Sequence, residues 1–446
     1  MRQAAPRSIV SKATARALKI ARTLAGGRGL LLCAPMRTIC GPSAKSGSRC
    51  SRVSSAGAAG GQSVIRVSVV TMQLVTTIRS PMRSSLAEYA RMRLTPERAS
   101  SVNFMPLKYP LVHECVIVIA DLFLPEGGST DAAAVPGLER IARFGHGVVL
   151  DGGWRPWLAR RVGCHELAGA PVACVAALTA DPGEAGSVWL ATAVHWLTGL
   201  TSLHWDSRGL LRLAPATLQA LAADFRKVFQ GSGFRLEPLE SGGFLVTGPP
   251  VADTHTIEPA RCIGASIATA LPAAPSLRQL GAELEIWLHE HPINLARIER
   301  GELPISSLWM WGGGNVMRAP SAGAIPQATS AERFYGSDPY LDGLCRARGT
   351  RAHALPERTK DLLESPAQRI VIVVELAGLL QADRAMSVPD ALATLDARWI
   401  RPAAALVARG AMRSVYVVAN DRCLSLTRHD RLKRWRRARR GLAGLQ

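Results

Sequence analysis

The segment 287-WLHEHPINLARIERGELPISSLWMWGGG-314 crowds histidines, an asparagine, arginines, tryptophans and a run of glycines into one stretch, and no other part of the chain is as chemically loaded. Just upstream, residues 276–290 place Leu277, Leu280, Leu284, Trp287 and Leu288 at the three-and-four spacing of a helix with one buried stripe. Pro292 lacks an amide donor and pushes His291 out of helical geometry. The helix is therefore expected to break there, and a short one over roughly 292–300 to begin with Pro292 in its first turn and end at Gly301. That first turn offers unpaired amides and the positive end of a dipole beside His289, His291, Asn294 and Arg297, a pattern suited to an anion. After the turn at Leu303-Pro304, Ser307 to Trp311 reads as a short buried strand, and Gly312, Gly313 and Gly314 follow where strand meets loop. Glycine there lets backbone amides approach a ligand closely. The expected ligand-binding set is thus His289, His291, Asn294, Arg297, Trp311, Gly312 and Gly314. A structural reading stands beside it: Arg297 pairs with Glu290 or Glu302, and the glycines merely turn the chain.

The string H-E-H-P-I-N-x-x-R-x-x-x-G-x-L-P-I-S-S-L-W-M-W-G-G-G resembles the H-x-P-V-N-x-x-R-x-x-x-G-x-x-P-x-N-x-x-W-x-W-G-x-G signature of archaeal-type cofactor-independent phosphoglycerate mutase homologues. It is closer still to their proteobacterial relatives, the RpfE-type regulatory proteins. The resemblance extends outward, from 117-IVIADLFLP-125 through 188-VWLATAVHW-196 to 433-KRWRRARRG-441, and excludes roughly the first hundred residues. It implies an α/β fold of the alkaline phosphatase type: a mixed, mostly parallel sheet flanked by helices.

The resemblance also implies a place for metal. Asp121 ends the first apolar run, 115-CVIVIADLFLP-125, where that superfamily sets a metal ligand, and it is the one residue expected to bind a metal. Manganese, zinc or magnesium would be the cofactor if the chain is catalytic. The match is incomplete, however. Where the mutases carry an Asp-Gly-x-Gly-Asp type motif this chain has 120-ADLFLPEGG-128, and neither a nucleophilic serine or threonine in its usual setting nor the late Gly-Asp-His segment is apparent. A two-metal site needs several convergent ligands. His195, at a family-like position in 193-AVHWL-197, reads better as a satisfied core or strand-end histidine, and loss of the mutase reaction is expected.

The net charge of +20 is unevenly spread. Residues 1–112 hold 18 Lys and Arg against only Glu88 and Glu97, so the body, 113–446, is nearly neutral. The extension is rich in Ser, Arg, Ala and Gly, as in 41-GPSAKSGSRCSRVSSAGAAGG-61, and is read as largely disordered. It fits a nucleic-acid or membrane-binding arm, a targeting segment, or a gene start assigned too far upstream, with translation beginning near Met105; the last is preferred. Within the body, 186–206 suggests two strands and 214–229 a helix with Leu218, Leu221, Phe225 and Val228 on one face. A hairpin over 233–249 closes at Ser241-Gly242-Gly243, so 186–260 is expected as a small α+β insertion. The apolar strand 369-RIVIVVEL-376, the helical stretch 387–410 and the hairpin 413–428 complete an α/β half.

The tail 428-RHDRLKRWRRARR-440 sets eight basic residues against Asp430, with Trp435 among them, and could meet nucleic acid, although no recognition motif supports that. The nine cysteines never form a C-x-x-C pair and read as free thiols of a reducing compartment. No apolar run reaches the ~18 residues that span a bilayer, so a cytoplasmic protein is expected. The function expected is a phosphoglycerate mutase-like, RpfE-type protein, regulatory or non-catalytic, binding a small phosphorylated metabolite. The alternatives are an active metal-dependent mutase or phosphotransferase, and a nucleic-acid-associated regulator using the basic tail.

Overall fold

The run 115-CVIVIA-120 forms the middle of a sheet, with Val116, Ile117 and Val118 no more than 1% exposed, so both faces of this strand are covered. The computed structural model describes residues 112–123, 134–180, 186–199, 202–317, 323–357, 367–419 and 421–430, with Leu362, Lys433, Arg436, Arg437, Gly441, Leu442 and Leu445. The expectations for the basic extension up to residue 111, and for Trp435 in the tail, fall outside these residues.

The described chain opens with β1 (Val112–Ile119), α1 (Pro136–Phe144), β2 (His146–Val149), α2 (Trp154–Arg161) and α3 (Val172–Ala176). Next come β3 (Ser187–Thr198), β4 (Leu203–Leu210), α4 (Pro215–Val228), β5 (Arg235–Pro238), β6 (Phe244–Gly248), α5 (Pro275–His289), α6 (Pro292–Glu299) and β7 (Ser307–Asn315). It closes with β8 (Glu332–Tyr335), α7 (Pro339–Ala347), β9 (Arg369–Val374), α8 (Ala377–Ala382), α9 (Val388–Leu395), α10 (Arg401–Arg409), β10 (Met412–Ala419) and β11 (Arg422–Thr427).

Among the described residues the strands make two sheets. The first runs β2-β11-β10-β1-β9-β8. Its neighbours β10, β1, β9 and β8 are parallel, while β11 pairs antiparallel with both β10 and β2. This is the mixed, mostly parallel α/β sheet expected. Successive side chains of a strand point to opposite faces, so β1 divides its residues between two cores. Cys115, Ile117 and Ile119 pack with Leu138 and Ile141 of α1 and with Leu392, Trp399 and Val407 along α9 and α10. Val116 and Val118 pack with Trp154 and Leu158 of α2 and with Leu341 and Leu344 of α7.

The second sheet is antiparallel. It runs β4-β3-β6-β5, and β7 also pairs with β3. One face is covered by α4 and α5, through Leu218, Leu221 and Phe225 and through Leu277, Leu280, Leu284 and Leu288. Val228, expected on the buried face of α4, is 59% exposed because the helix ends there and Phe229 takes the inward position.

The triple glycine also differs from expectation. Rather than ending the strand, Gly312, Gly313 and Gly314 lie inside β7. Gly312 has φ +64°, and the register against β3 shifts between Val188 and Leu190, which marks a bulge. A Cβ on Gly313 would lie 2.1 Å from Trp189 Nε1, and one on Gly314 2.4 Å from Pro171 Cγ. The chain has glycine here because a buried indole and a proline ring occupy the space.

All the described cysteines are free and buried. No helix among the described residues is long and apolar enough to cross a membrane.

Two glycine substitutions should behave oppositely. Gly313→Ala overpacks the Trp189 contact and should cost about 1–3 kcal/mol. Gly281→Ala lies within α5 with nothing within 4 Å, and should gain up to about 1 kcal/mol. Urea denaturation midpoints check both, and an unchanged midpoint for Gly313→Ala would show that Trp189 yields without cost.

Candidate functional site

The break at Pro292 forms as its chemistry demands. His291 is the N-cap of α6, in extended geometry at φ −70° and ψ 135°, and its Nδ1 accepts the amide of Ile293 at 3.2 Å. Nδ1 is therefore the unprotonated nitrogen, and Nε2 lies 3.6 Å from the carboxylate of Asp224 on α4. Burial holds the pKa of this imidazole below its ordinary value, and Asp224 offsets only part of that. Asn294, 2% exposed, donates from Nδ2 to the carbonyls of Leu288 at 2.7 Å and Ile305 at 2.8 Å, and accepts the Ile305 amide at 2.7 Å. Arg297 donates from Nε to the Leu303 carbonyl at 2.8 Å, and its Nη1 lies 3.1 Å from Glu302. His289 is exposed on the last turn of α5. The histidine, amide and guanidinium thus clasp the end of α5 to the start of β7, and the Arg297–Glu302 pair belongs to the structural reading of this motif.

The structure divides the expected set. Trp311 and Gly312 line a groove of about 680 Å³, together with Gly152, Trp154, Arg261 and Tyr340. Gly314 is packed against Pro171 and Cys174. Asp121 lies elsewhere, at the carboxyl end of β1, where open α/β sheets gather ligands. Glu375 follows β9 and Asp338 follows β8, and both join Asp121 around a cavity of about 80 Å³ that Arg155, Arg212 and Trp311 also line.

Every one of these carboxylates has a partner. Asp121 accepts the amides of Leu376 at 2.7 Å and Ala377 at 2.8 Å, at the start of α8. Burial pushes its carboxyl pKa up, and these two amides pull against that. Asp338 caps α7 by accepting the amides of Tyr340 at 2.8 Å and Leu341 at 3.0 Å. Glu375 pairs with Arg212, a guanidinium whose own pKa burial pushes down. Arg155 holds Glu258 through two bonds of 2.9 and 2.8 Å and lies 3.8 Å from Asp338. Its guanidinium sits 4.5 Å over the Trp154 ring and 4.9 Å over Trp311. Burial works against charge on Arg155, but Glu258 and Asp338 more than offset it and its pKa is raised. Beyond β10, Arg261 grips Asp421 at 2.6 and 2.7 Å.

A divalent metal does not fit this arrangement. Such a site needs convergent carboxylates or imidazoles with free lone pairs. Here Asp121 gives both oxygens to amides and Glu375 pairs with Arg212, and among the described residues no group of three or more His, Cys, Asp or Glu is placed to hold an ion. Asp121, the residue expected to bind metal, accepts the first amides of α8. Its neighbour in sequence space could not reveal this, because the capped amides lie 255 residues away. His195 Nδ1 contacts the carbonyl of Pro304 at 2.9 Å and so steadies the turn before β7.

Sequence reasoning missed Arg155, Arg212, Arg261, Glu258 and Glu375. Glu375 alone carried a signal, the acidic residue after an apolar strand that also marked Asp121. The arginines sit in unremarkable local sequence and become a group only when the two sheets meet.

No protein-family model matches the chain, and no curated protein matches it. Among solved structures it is similar to a cofactor-independent phosphoglycerate mutase from Thermoplasma acidophilum, at 17% identity over 70% of this chain and 89% of that one, with a TM-score of 0.30. It is also similar to a protein of Pyrococcus horikoshii, at 13% identity over 70% of this chain and 82% of that one, with a TM-score of 0.35.

The clasp has measurable consequences. Asn294→Ala strands the Leu288 and Ile305 backbone groups and should cost about 2–4 kcal/mol in urea denaturation; wild-type stability would dismiss the clasp. His291 adds a pH dependence. Between its ordinary value and its lower folded value, the unfolded chain binds a proton that the folded chain refuses, so stability is present above that window and falls as pH drops through it. The fall in Tm from pH 8 to pH 5 should shrink in His291→Asn, which keeps a capping acceptor without the titration; an undiminished fall would acquit the histidine.

Proposed function

We propose that this chain is a non-catalytic, phosphoglycerate mutase-like protein of the regulatory, RpfE-type kind. One observation carries the reading: the carboxylates at the strand ends serve as ion-pair partners and helix caps around a cavity of about 80 Å³. A carboxylate bonded to arginine has its charge already answered, and turning it into a metal ligand would require breaking that pair. The sequence likeness around 289–314 supports the family reading, while the lost Asp-Gly-x-Gly-Asp pattern supports the absence of turnover.

An active metal-dependent mutase or phosphotransferase is the competing reading. Titrating the full chain with manganese and zinc in a calorimeter, alongside a phosphoglycerate mutase assay with each metal, separates the two. Neither saturable metal binding nor turnover is expected. Stoichiometric metal with turnover abolished by Asp121→Ala would replace this proposal with the enzyme. Arg212→Ala should lower stability by about 1–2 kcal/mol, a figure discounted for the partial exposure of its pair with Glu375.

A further inference from the structure

Arg297 has a second face. Beyond its bonds to Leu303 and Glu302 it borders a cavity of about 270 Å³, which Arg208, Arg384, Gln381 and the apolar side chain of Leu380 also line. Three guanidiniums meet one carboxylate there, so the lining carries an excess of positive charge. Glu302 is itself shared, since Arg300 binds it at 2.6 Å from outside the cavity.

The donors are largely unclaimed. Arg208 uses Nη2 on the Met386 carbonyl at 2.9 Å, and Arg297 uses Nε and Nη1. Arg384 makes no hydrogen bond or ion pair among the described residues. Arg297 is 6% exposed, and burial pushes its pKa down, with Glu302 opposing and the like charge of Arg300 adding to the shift. A desolvated guanidinium short of counter-charge is stabilised by an anion, and arginine forks match phosphate oxygens in geometry as well as charge.

We propose that this cavity binds a small phosphorylated metabolite. Its volume, set against the ~30 Å³ that each water occupies, accommodates a phosphate group on a short carbon skeleton. Leu380, Leu211 and Leu303 supply the apolar wall for that skeleton. The site bridges two parts of the molecule. Arg208 and Arg297 belong to the segment that carries the second sheet, whereas Gln381 lies on α8 and Arg384 just beyond it, the helix that Asp121 caps.

Gln381 is bonded to the backbone of Arg212, accepting its amide at 2.7 Å and donating to its carbonyl at 3.0 Å, and Arg212 is the partner of Glu375. An anion drawing Arg384 toward Arg208 and Arg297 therefore tightens the seam between the sheets. The inference deepens the regulatory reading yet separates from it in test: metal binding or turnover at Asp121 would end that reading and leave this site standing.

Calorimetry and thermal shift on the full chain, with inorganic phosphate, 3-phosphoglycerate and unphosphorylated glycerate as probes, test the site. Saturable binding of 3-phosphoglycerate that raises Tm is expected, with glycerate inert. Arg384→Ala should weaken it at least tenfold, a loss of one charged contact of about 1.4 kcal/mol, and Arg384→Glu should abolish it. Arg384 is exposed and makes no hydrogen bond, so Arg384→Ala should leave the Tm of the free protein close to that of the natural chain, whereas Arg384→Glu sets a carboxylate beside Arg208 and Arg297 and should raise it. Arg208→Ala should weaken binding as well. The proposal fails if neither phosphate compound binds saturably, if Arg384→Glu binds as tightly as the natural chain, or if sulfate and chloride at equal ionic strength stabilise the protein to the same degree.

Discussion

Carboxylates gathered at one end of a parallel sheet repel one another and lose hydration as the fold closes, so the structure depends on what answers their charge. Here the answer comes from guanidiniums and backbone amides. Arg212 meets Glu375, Arg261 meets Asp421, Arg155 holds Glu258 close to Asp338, and the first amides of α8 and α7 are given to Asp121 and Asp338. Three of these pairs join residues of the second-sheet segment to residues of the first sheet and its helices. Neutralising the strand ends and fastening the two sheets together are therefore one act.

This arrangement changes what the cleft can do. A metal site keeps its ligands poised and partly unsatisfied until the ion arrives, whereas an ion pair is complete in itself. Arginines and backbone amides at the strand ends answer the charge of these carboxylates within the fold itself. What remains is a scaffold with permanent internal charges, and the excess of positive charge reappears at the seam beside α8, where Arg208, Arg297 and Arg384 face one carboxylate.

The motif around Pro292 performs a second kind of fastening. Asn294 satisfies two carbonyls and an amide that the chain exposes as it turns from α5 toward β7, a task that a short buried amide performs well because it carries both donor and acceptor. The glycines of β7 then let that strand bulge past Trp189, which is fully buried. The dense chemistry of the segment holds the second sheet in register, and Arg297, Trp311 and Gly312 combine that work with a place on a cavity or groove.

Much of the architecture was legible in the sequence alone. The break at His291, the stop at Gly301, the apolar central strands and the helix carrying Leu218, Leu221 and Phe225 follow from local rules, because proline, glycine and side-chain period act within a few residues of themselves. Local rules also marked Asp121 as the residue at the end of the first strand. Its role was beyond them: an aspartate offers the same two oxygens to a metal, a helix or an arginine, and the choice is made by whatever the fold delivers 255 residues later. The same holds for Asn294 and Arg297, whose donors suit an anion as readily as a backbone carbonyl. Sequence determined which groups were available and where the chain would turn. Tertiary structure alone decided their partners, because hydrogen bonds and ion pairs form between groups that are neighbours in space.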